Sequence, residues 1–290
     1  MPGSVEAAAP PAAALVISGL TKQFPARRLS RLPMREPVLA DVSLSVDFGE
    51  IVGIMGPNAA GKTTLLESVA MLVEPTSGSI EVCGHDVTRR PAGARAMLGY
   101  SGATGQGFYA RMTAGWNLEF FAVLNDIPRN EARQRAKELL AFVGLGHAAS
   151  ARVETFSEGM RQRIGLARAL IADPAVLLLD EPTRSVDPAF RHAVHRLLRQ
   201  WCGEESRRAI LMVTHDFDEA EAICNRVCVL DHGRLAWTGS ARGARAMTCA
   251  SWSCPRRSTR DPCRRFSMDA RLSRCRGGCT RCRSSTRLER

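Results

Sequence analysis

Lysine, tyrosine and long apolar runs are scarce in this sequence of 290 residues. Only three of its 40 basic residues are lysine, and it has only two tyrosines. No window approaches the roughly eighteen consecutive apolar residues that a membrane-spanning helix needs. Residues 1–15 lack both the basic start and the long apolar run of a secretory signal. With 45% apolar residues, we therefore expect a globular protein with a sizeable core that stays in the cytoplasm.

Excess charge is also missing from most of the chain. The formal net charge is +11, but residues 241–290 contain 14 arginines against three acids, and 14 − 3 = +11. Residues 1–240 therefore balance, with 26 basic against 26 acidic side chains. A folded body without net charge gives no basis for a polyanion-binding groove. We expect no nucleic-acid partner.

The two ends of the chain differ in composition from the body. Residues 1–13 are rich in Ala and Pro, which predicts a disordered leader. Residues 241–290 hold six of the ten cysteines and show no period, which predicts a disordered Arg/Cys-rich tail. Two alternatives for the tail are a zinc site, although a fourth ligand of the usual spacing is missing, and an arm that binds nucleic acid or an anionic membrane. The favoured interpretation is a shifted reading frame in an arginine-biased gene. The four cysteines of the body are scattered, as expected of small buried residues in a reducing compartment: Cys83, Cys202, Cys224 and Cys228.

Short β-rich runs alternate with helical patterns between residues 14 and 239, which predicts an α/β fold with a parallel sheet and covering helices. Between about residues 112 and 171 there are helix signals and no convincing strand, which predicts an inserted helical subdomain. The predicted strands are LVISGL (15–20), VSLSV (42–46), IVGIMG (51–56), SIEVCG (79–84), VLLLD (176–180), AILMVT (209–214), VCVLD (227–231) and RLAWTG (234–239). One predicted helix follows Lys62, and three others cover 130–143, 158–171 and 189–201. The last of these has Asp187 as its cap and Pro188 at its first position.

A predicted strand ends directly in a phosphate-binding sequence. GPNAAGKT matches G-x-x-x-x-G-K-[ST] between a strand and a helix, which is the context that the motif requires. Backbone N–H groups of such a loop wrap a phosphate, Lys62 reaches the β and γ phosphates, and the Thr63 hydroxyl ligates Mg²⁺. A narrow loop favours the compact ammonium of lysine over a planar guanidinium. The predicted nucleotide-binding residues of this stretch are Gly56, Pro57, Asn58, Ala59, Ala60, Gly61, Lys62, Thr63 and Thr64.

Polar residues follow two further predicted strands. Asp180 and Glu181 end the apolar run that begins at residue 175, and His215 ends the run from 210 to 214. Ligands of parallel sheets bind at such strand ends. We expect Asp180 to hold Mg²⁺, Glu181 to orient or deprotonate an attacking water, and His215 to contact the γ-phosphate. His192 and His195 lie three residues apart on a predicted helix, which favours a solvated face over a metal pair.

The order of these motifs resembles the nucleotide-binding subunit of ATP-binding cassette (ABC) transporters. GPNAAGKT, FSEGMRQR (156–163), LLLDEPT (177–183), Ser185-Val186-Asp187 and Thr214-His215 carry the resemblance, which covers about residues 14–240. FSEGM stands at the place of the family's signature sequence. The resemblance implies a phosphate-loop NTPase fold with a mixed or parallel central sheet, an antiparallel β subdomain and the inserted helical subdomain. It also implies ATP and Mg²⁺ as cofactors.

The resemblance further implies a site shared between two subunits. Ser157 is expected to cap the helix that starts at Glu158, so that Ser157 and Gly159 present free N–H groups to ATP on the opposite subunit. Asp187 resembles the residue that links the two sites, and Phe24 resembles the aromatic that stacks on adenine. The implied partners are a second copy or a homologous ATPase subunit, and an integral-membrane permease on the inner face of the membrane.

Two residues depart from the family pattern. Ala59 stands where glycine is usual, and it is strained if the backbone there needs a positive φ. Ala103 stands where many members have a glutamine that senses Mg²⁺ and contacts the permease; Gln106 follows three residues later.

The stretch FYARMTAGWNLEFFAVL and the stretch GMRQRIGLARAL resemble the branch that exports drugs, polysaccharides and ions. The expected function is therefore an ATPase that powers export through a separate permease. The alternative is a non-transport or catalytically degraded ABC ATPase that acts as a regulatory or binding partner.

Overall fold

A computed structural model describes residues 13–25, 36–102, 107–184, 188–203 and 206–245. The described residues up to Ala244 form one compact unit. The predictions for residues 1–12, for Asp187, Ala103 and Gln106, and for most of the Arg/Cys-rich tail lie outside the described residues. Helical structure covers 241–245, and Ala244 is fully buried, so the ordered body passes the expected boundary at residue 240 by a few residues.

The core of the molecule is a six-stranded sheet in the order β10-β9-β3-β8-β7-β6. Neighbours from β9 to β6 are parallel, and β10 pairs antiparallel with β9. Every residue of β3, β7 and β8 is buried, because helices and the second sheet cover both faces and the sequence supplies continuous apolar runs there. The strands are β3 (Ile51–Met55), β6 (Leu98–Ser101), β7 (Val176–Asp180), β8 (Ala209–Val213), β9 (Arg226–Asp231) and β10 (Arg234–Gly239).

A second sheet of four antiparallel strands has the order β2-β1-β4-β5. Its residues alternate between buried and exposed along β2, as expected of a sheet with one face on the core. The strands are β1 (Leu15–Lys22), β2 (Leu39–Val46), β4 (Ser77–Val82) and β5 (His85–Asp86). The predicted mixed central sheet and antiparallel β subdomain are thus confirmed.

In the described residues between β6 and β7, three helices and two short 3₁₀ turns form the inserted helical subdomain that the sequence predicts. Ala132, Ala136 and Leu140 recur on one face of the second of these helices and are buried against its neighbours. The α-helices named for the described residues are α1 (Lys62–Val69), α2 (Pro91–Ala96), α3 (Ala114–Leu124), α4 (Arg129–Phe142), α5 (Glu158–Ala169), α6 (Pro188–Trp201) and α7 (Phe217–Ile223). Among the described residues, no helix combines the length and the apolar character that a bilayer crossing requires.

Candidate active site

The loop between β3 and α1 places the Lys62 side chain at its centre. Lys62 Nζ donates to the carbonyl oxygens of Gly56 and Pro57, each at 2.9 Å, so the ammonium is held from two sides of the loop. Only 8% of Lys62 is exposed. Burial lowers the pKa of Lys62, while the nearby carboxylates of Glu181 and Asp180 act in the opposite direction. The geometry holds a cation where the sequence predicts the β and γ phosphates.

The loop backbone depends on residues with positive φ. Gly56 has φ 151°, and a Cβ there would lie 2.1 Å from the carbonyl oxygen of Leu230. Gly61 has φ 101° and precedes the first residue of α1. Ala59 has φ 63°, so the strain expected of an alanine with a positive φ is present. An alanine in this left-handed region costs about 1–2 kcal/mol relative to the right-handed region.

An oxygen pair for a divalent cation lies next to the loop. Thr63 Oγ1 donates to Asp180 Oδ2 at 3.1 Å, which joins the start of α1 to the end of β7. Asp180 is 5% exposed. Burial raises the pKa of Asp180, and the hydrogen bond from Thr63 only partly offsets this effect. The hydroxyl of the exposed Thr63 and a carboxylate destabilised by burial form a donor set that suits Mg²⁺, because a hard cation prefers oxygen ligands and would compensate the buried charge.

Glu181 and His215 meet at the ends of neighbouring strands. His215 Nδ1 lies 3.0 Å from Glu181 Oε1, and because a carboxylate only accepts, Nδ1 is the donor. The other carboxylate oxygen of Glu181 has no hydrogen bond, although Arg184 Nη1 lies 3.4 Å away. Glu181 has φ 50°, a strained backbone of the kind that clusters at functional sites. The arrangement leaves a carboxylate oxygen available to accept a proton.

The N-terminus of α5 forms a separate part of the candidate site. Ser157 Oγ accepts from the backbone N–H of Met160 at 3.2 Å, which confirms the predicted cap. Ser157 is exposed and Gly159 is partly exposed. The first turn of the helix therefore faces solvent with its partial positive charge. Its role toward a nucleotide stays a prediction.

Phe24 is 40% exposed, as a residue available for stacking should be. The ammonium of Lys22 lies 4.9 Å from the centroid of its ring. Lys22 also donates to the carbonyl oxygen of Glu74 at 2.6 Å, which fixes the cation over the ring. An adenine contact by Phe24 stays a prediction, as does the role of Asp187.

Several residues around the site were not identified from the sequence. Gln162, on α5, donates to the backbone carbonyl of Glu181, and so connects the helical subdomain to the end of β7. Arg191 Nη1 donates to Oδ2 of Asp216, the residue that follows His215, at 3.0 Å. Glu219 is buried beneath these residues at 3% exposure. The spacing Asp216-x-x-Glu219, typical of a helix start, is the one signal that points to Glu219.

The interpretation of His195 as part of a solvated face is wrong. His195 is 7% exposed, and its Nε2 lies 3.3 Å from Glu219 Oε1. The error arises because helical spacing alone does not show which side of α6 packs against the sheet. His192, three residues earlier, is exposed as expected.

The fold and the site together define a phosphate-loop NTPase domain of the ATP-binding type. A family model described as ABC transporter matches residues 39–184. The chain belongs to the ABC transporter family, and within it to the ATP-binding, ATP-hydrolysing proteins.

Relatives include exporter subunits. The chain is 38% identical to the ABC transporter ATP-binding protein NatA of Bacillus subtilis over 69% of its own length and 80% of that protein. It is 36% identical to the doxorubicin resistance ATP-binding protein DrrA of Mycobacterium tuberculosis, covering 79% of this chain and 66% of that one. It is 38% identical to the Nod factor export ATP-binding protein I of Burkholderia thailandensis, covering 71% of this chain and 66% of the relative.

A solved ATP-binding cassette, in a dimeric post-hydrolysis state with ADP and Pi bound, superimposes with a TM-score of 0.70. The match has 26% sequence identity and covers 79% of this chain and 99% of that one. The α/β fold of the chain is therefore that of an ABC ATPase domain.

Proposed function

We propose that this chain binds MgATP between two ATPase subunits, hydrolyses the ATP, and powers export of a substrate through a separate membrane permease. The main support for this proposal is that Lys62, Thr63 and Asp180 lie at the same edge of the parallel sheet as the Glu181–His215 pair. Bound MgATP supplies the phosphoanhydride that is cleaved. The chain's own residues hold the phosphates, orient the attacking water and take a proton from it.

Each residue has a role that its surroundings support. The loop N–H groups and Lys62 hold the phosphates, and Thr63 with Asp180 would hold the cation. Glu181 accepts a proton from the attacking water, because one of its carboxylate oxygens is buried and lacks a hydrogen bond. His215 donates to Glu181 through Nδ1, which fixes the carboxylate and directs the other ring nitrogen away from it.

A second subunit would bring a phosphate to the Ser157–Gly159 helix start, because this first turn of α5 is exposed to solvent. The exposed first turn of α5 supplies donors for a phosphate that its own chain does not hold. The dimeric state of the similar ATP-binding cassette supports this arrangement. A second copy or a homologous subunit would complete each site.

A permease partner is supported by an exposed aromatic surface on the helical subdomain. Tyr109, Met112 and Trp116 are 50%, 43% and 41% exposed. Trp116 stacks on Phe120 with ring centroids 5.5 Å apart, and Tyr109 meets both rings edge-on. Such a rigid apolar surface marks an interaction site. Docking there would hold the chain at the inner face of the membrane.

The proposal is tested by ATP hydrolysis of the full chain with and without Mg²⁺. We expect Mg²⁺-dependent phosphate release that disappears in Glu181→Gln. An inactive chain that still binds a permease would favour the degraded, regulatory alternative instead. Reconstitution with a six-span membrane protein encoded beside it would then test the link to export.

A further inference from the structure

A buried carboxylate lies beneath the Glu181–His215 pair and receives hydrogen bonds from three side chains. Thr183 Oγ1 donates to Glu219 Oε1 at 2.5 Å, and Thr214 Oγ1 donates to Oε2 at 2.6 Å. His195 Nε2 lies 3.3 Å from Oε1. Glu219 is 3% exposed, so an unpaired charge there would be costly, and these donors satisfy it.

The two threonines connect Glu219 to the residues proposed to act on water. Thr183 follows Glu181 by two residues after the end of β7. Thr214 immediately precedes His215 after the end of β8. Glu219 therefore bonds both segments at once, and it lines the same cleft as Glu181 and His215.

The direction of each hydrogen bond is fixed. The backbone N–H of Asp216 donates to Thr214 Oγ1 at 3.1 Å, so the Thr214 hydroxyl proton is left to point at Glu219. Thr183 and His195 both point at the other carboxylate oxygen. Asp216 also caps α7 by accepting from the N–H groups of Asp218 and Glu219, which holds the Glu219 backbone in place.

We infer that Glu219 is a positioning residue for ATP hydrolysis: it locks the segment that carries Glu181 to the segment that carries His215, and so holds their side chains at hydrogen-bonding distance. The inference rests on the proposed ATPase function. Hydrogen bonds from His195, Thr183 and Thr214 lower the pKa of Glu219 despite its burial, which keeps the carboxylate ionised and acceptor-only.

Glu219→Gln is the sharpest variant because it keeps the shape and reverses one bond. The NH₂ group of the glutamine must take the place of one carboxylate oxygen. There it faces either Thr183 and His195, which are donors, or the Thr214 hydroxyl, which already accepts from the backbone N–H of Asp216. We expect kcat to fall about 10-fold, as for one lost hydrogen bond to a charged group, with the KM for ATP within about 2-fold of the wild type. Glu219→Ala should lower kcat about 100-fold, as misplaced catalytic groups do.

The matched control is Glu221→Gln on the same helix. Glu221 is exposed, pairs with Arg242 at 2.6 Å, and does not line the cleft. Its kcat should equal that of the wild type. Melting temperatures of all variants show whether each chain is folded, and Glu219→Gln keeps the test valid if Glu219→Ala does not fold.

A double variant separates positioning from general stability. If Glu219 acts through His215, then adding Glu219→Gln to His215→Ala should change kcat by less than about 2-fold. An equal loss in both backgrounds, or a Glu219→Gln chain with wild-type kcat, would overturn the inference alone. A wild-type chain without ATPase activity would overturn both this inference and the proposed function.

Discussion

Two regions of the molecule hold the candidate site, and their polar groups are satisfied in different ways. The strand-end region comprises residues 56–63, 180–181 and 214–215, and its side chains bond to one another within the chain: Lys62 to the loop, Thr63 to Asp180, and His215 to Glu181. The signature region, residues 157–160, has its cap formed but presents its first turn to solvent.

The difference shows which half of the site is preorganised. The strand-end region carries buried charge in fixed geometry, which is the arrangement that stabilises a charged transition state without further rearrangement. The signature region exposes its first turn to solvent, and the acidic residue of that turn is Glu158. The two regions should therefore respond differently to mutation: the first in nucleotide binding and chemistry, the second in association.

The largest expected effect is on the carboxylate of the strand-end region. Glu181→Gln should lower kcat about 1,000-fold, because removing a general base costs 10²–10⁴-fold, while ATP binding persists. Phosphate release and ATP titration measure the two quantities. Unchanged turnover would contradict the role assigned to Glu181.

Lys62 offers the next largest effect and an internal control. Lys62→Ala should weaken ATP binding about 100-fold, because it removes a charged partner of the phosphates. Lys62→Arg should not restore binding if the narrow loop excludes a guanidinium. Lys137 is exposed on α4, so Lys137→Ala is the matched control and should bind ATP normally. Retained affinity in Lys62→Ala would remove the basis for the phosphate-loop assignment.

The signature region should respond in association rather than in binding. Gly159→Asp places a carboxylate in the first turn of α5, where it favours the isolated helix but repels a phosphate of the opposite subunit. We expect unchanged ATP affinity of the monomer and a kcat about 10- to 100-fold lower. Gly159→Ala adds only a methyl group and controls for shape. Weaker ATP binding by the monomeric Gly159→Asp chain would show that the two regions do not divide their roles.

A smaller effect follows from the buried charge of Asp180. Burial raises its pKa above the ordinary value of 3.8, so the folded chain holds this proton more tightly than the unfolded chain. Stability is therefore lost as pH rises through the folded pKa, and ionised Asp180 destabilises the Mg²⁺-free fold at neutral pH. Asp180→Asn should melt higher than the wild type at neutral pH without Mg²⁺, and the difference should shrink as the pH falls toward 3.8 and be lost below it. A lower melting temperature for Asp180→Asn at neutral pH would show that the carboxylate stabilises the fold.

The smallest expected effect concerns Ala59. Its φ of 63° costs about 1–2 kcal/mol of stability. Glycine removes this strain, but it lowers stability by about 0.4–1 kcal/mol because it raises the entropy of the unfolded chain. Ala59→Gly should therefore raise the melting temperature by about 1–4 °C. A matched Ala136→Gly change inside α4, where φ is helical, should lower it instead. Equal effects at the two positions would show that the loop is not strained.

The sequence identified the elements with strong local signals. All eight predicted strands are present, because continuous apolar runs such as IVGIM and AILMV have few alternatives to a buried strand. The helices at 130–143, 158–171 and 189–201 were found to within a few residues, because each carries a 3.6-residue apolar period or a cap.

The elements that were missed are short or depend on tertiary contacts. β6 has the sequence LGYS, in which only pairing with β7 makes a strand. β5 has two residues and α7 has seven, too few for a period to be recognised. Glu219 and His195 have the polar character of a surface, and their burial follows from how α6 and α7 pack. The strand-end residues were predictable because residue types and spacing in their motifs indicate phosphate and Mg²⁺ binding. The hydrogen-bond network of Glu219 and His195 below them has no such motif and was not predicted.

The central claim is that one nucleotide is bound between two subunits, and its most direct test is the mass of the full chain in solution. Sedimentation of Glu181→Gln should show a monomer without nucleotide and a dimer, with two ATP bound per dimer, at saturating MgATP. Gly159→Asp introduced into the same chain should return it to a monomer that still binds ATP. A Glu181→Gln chain that stays monomeric with ATP and Mg²⁺ bound would contradict the account.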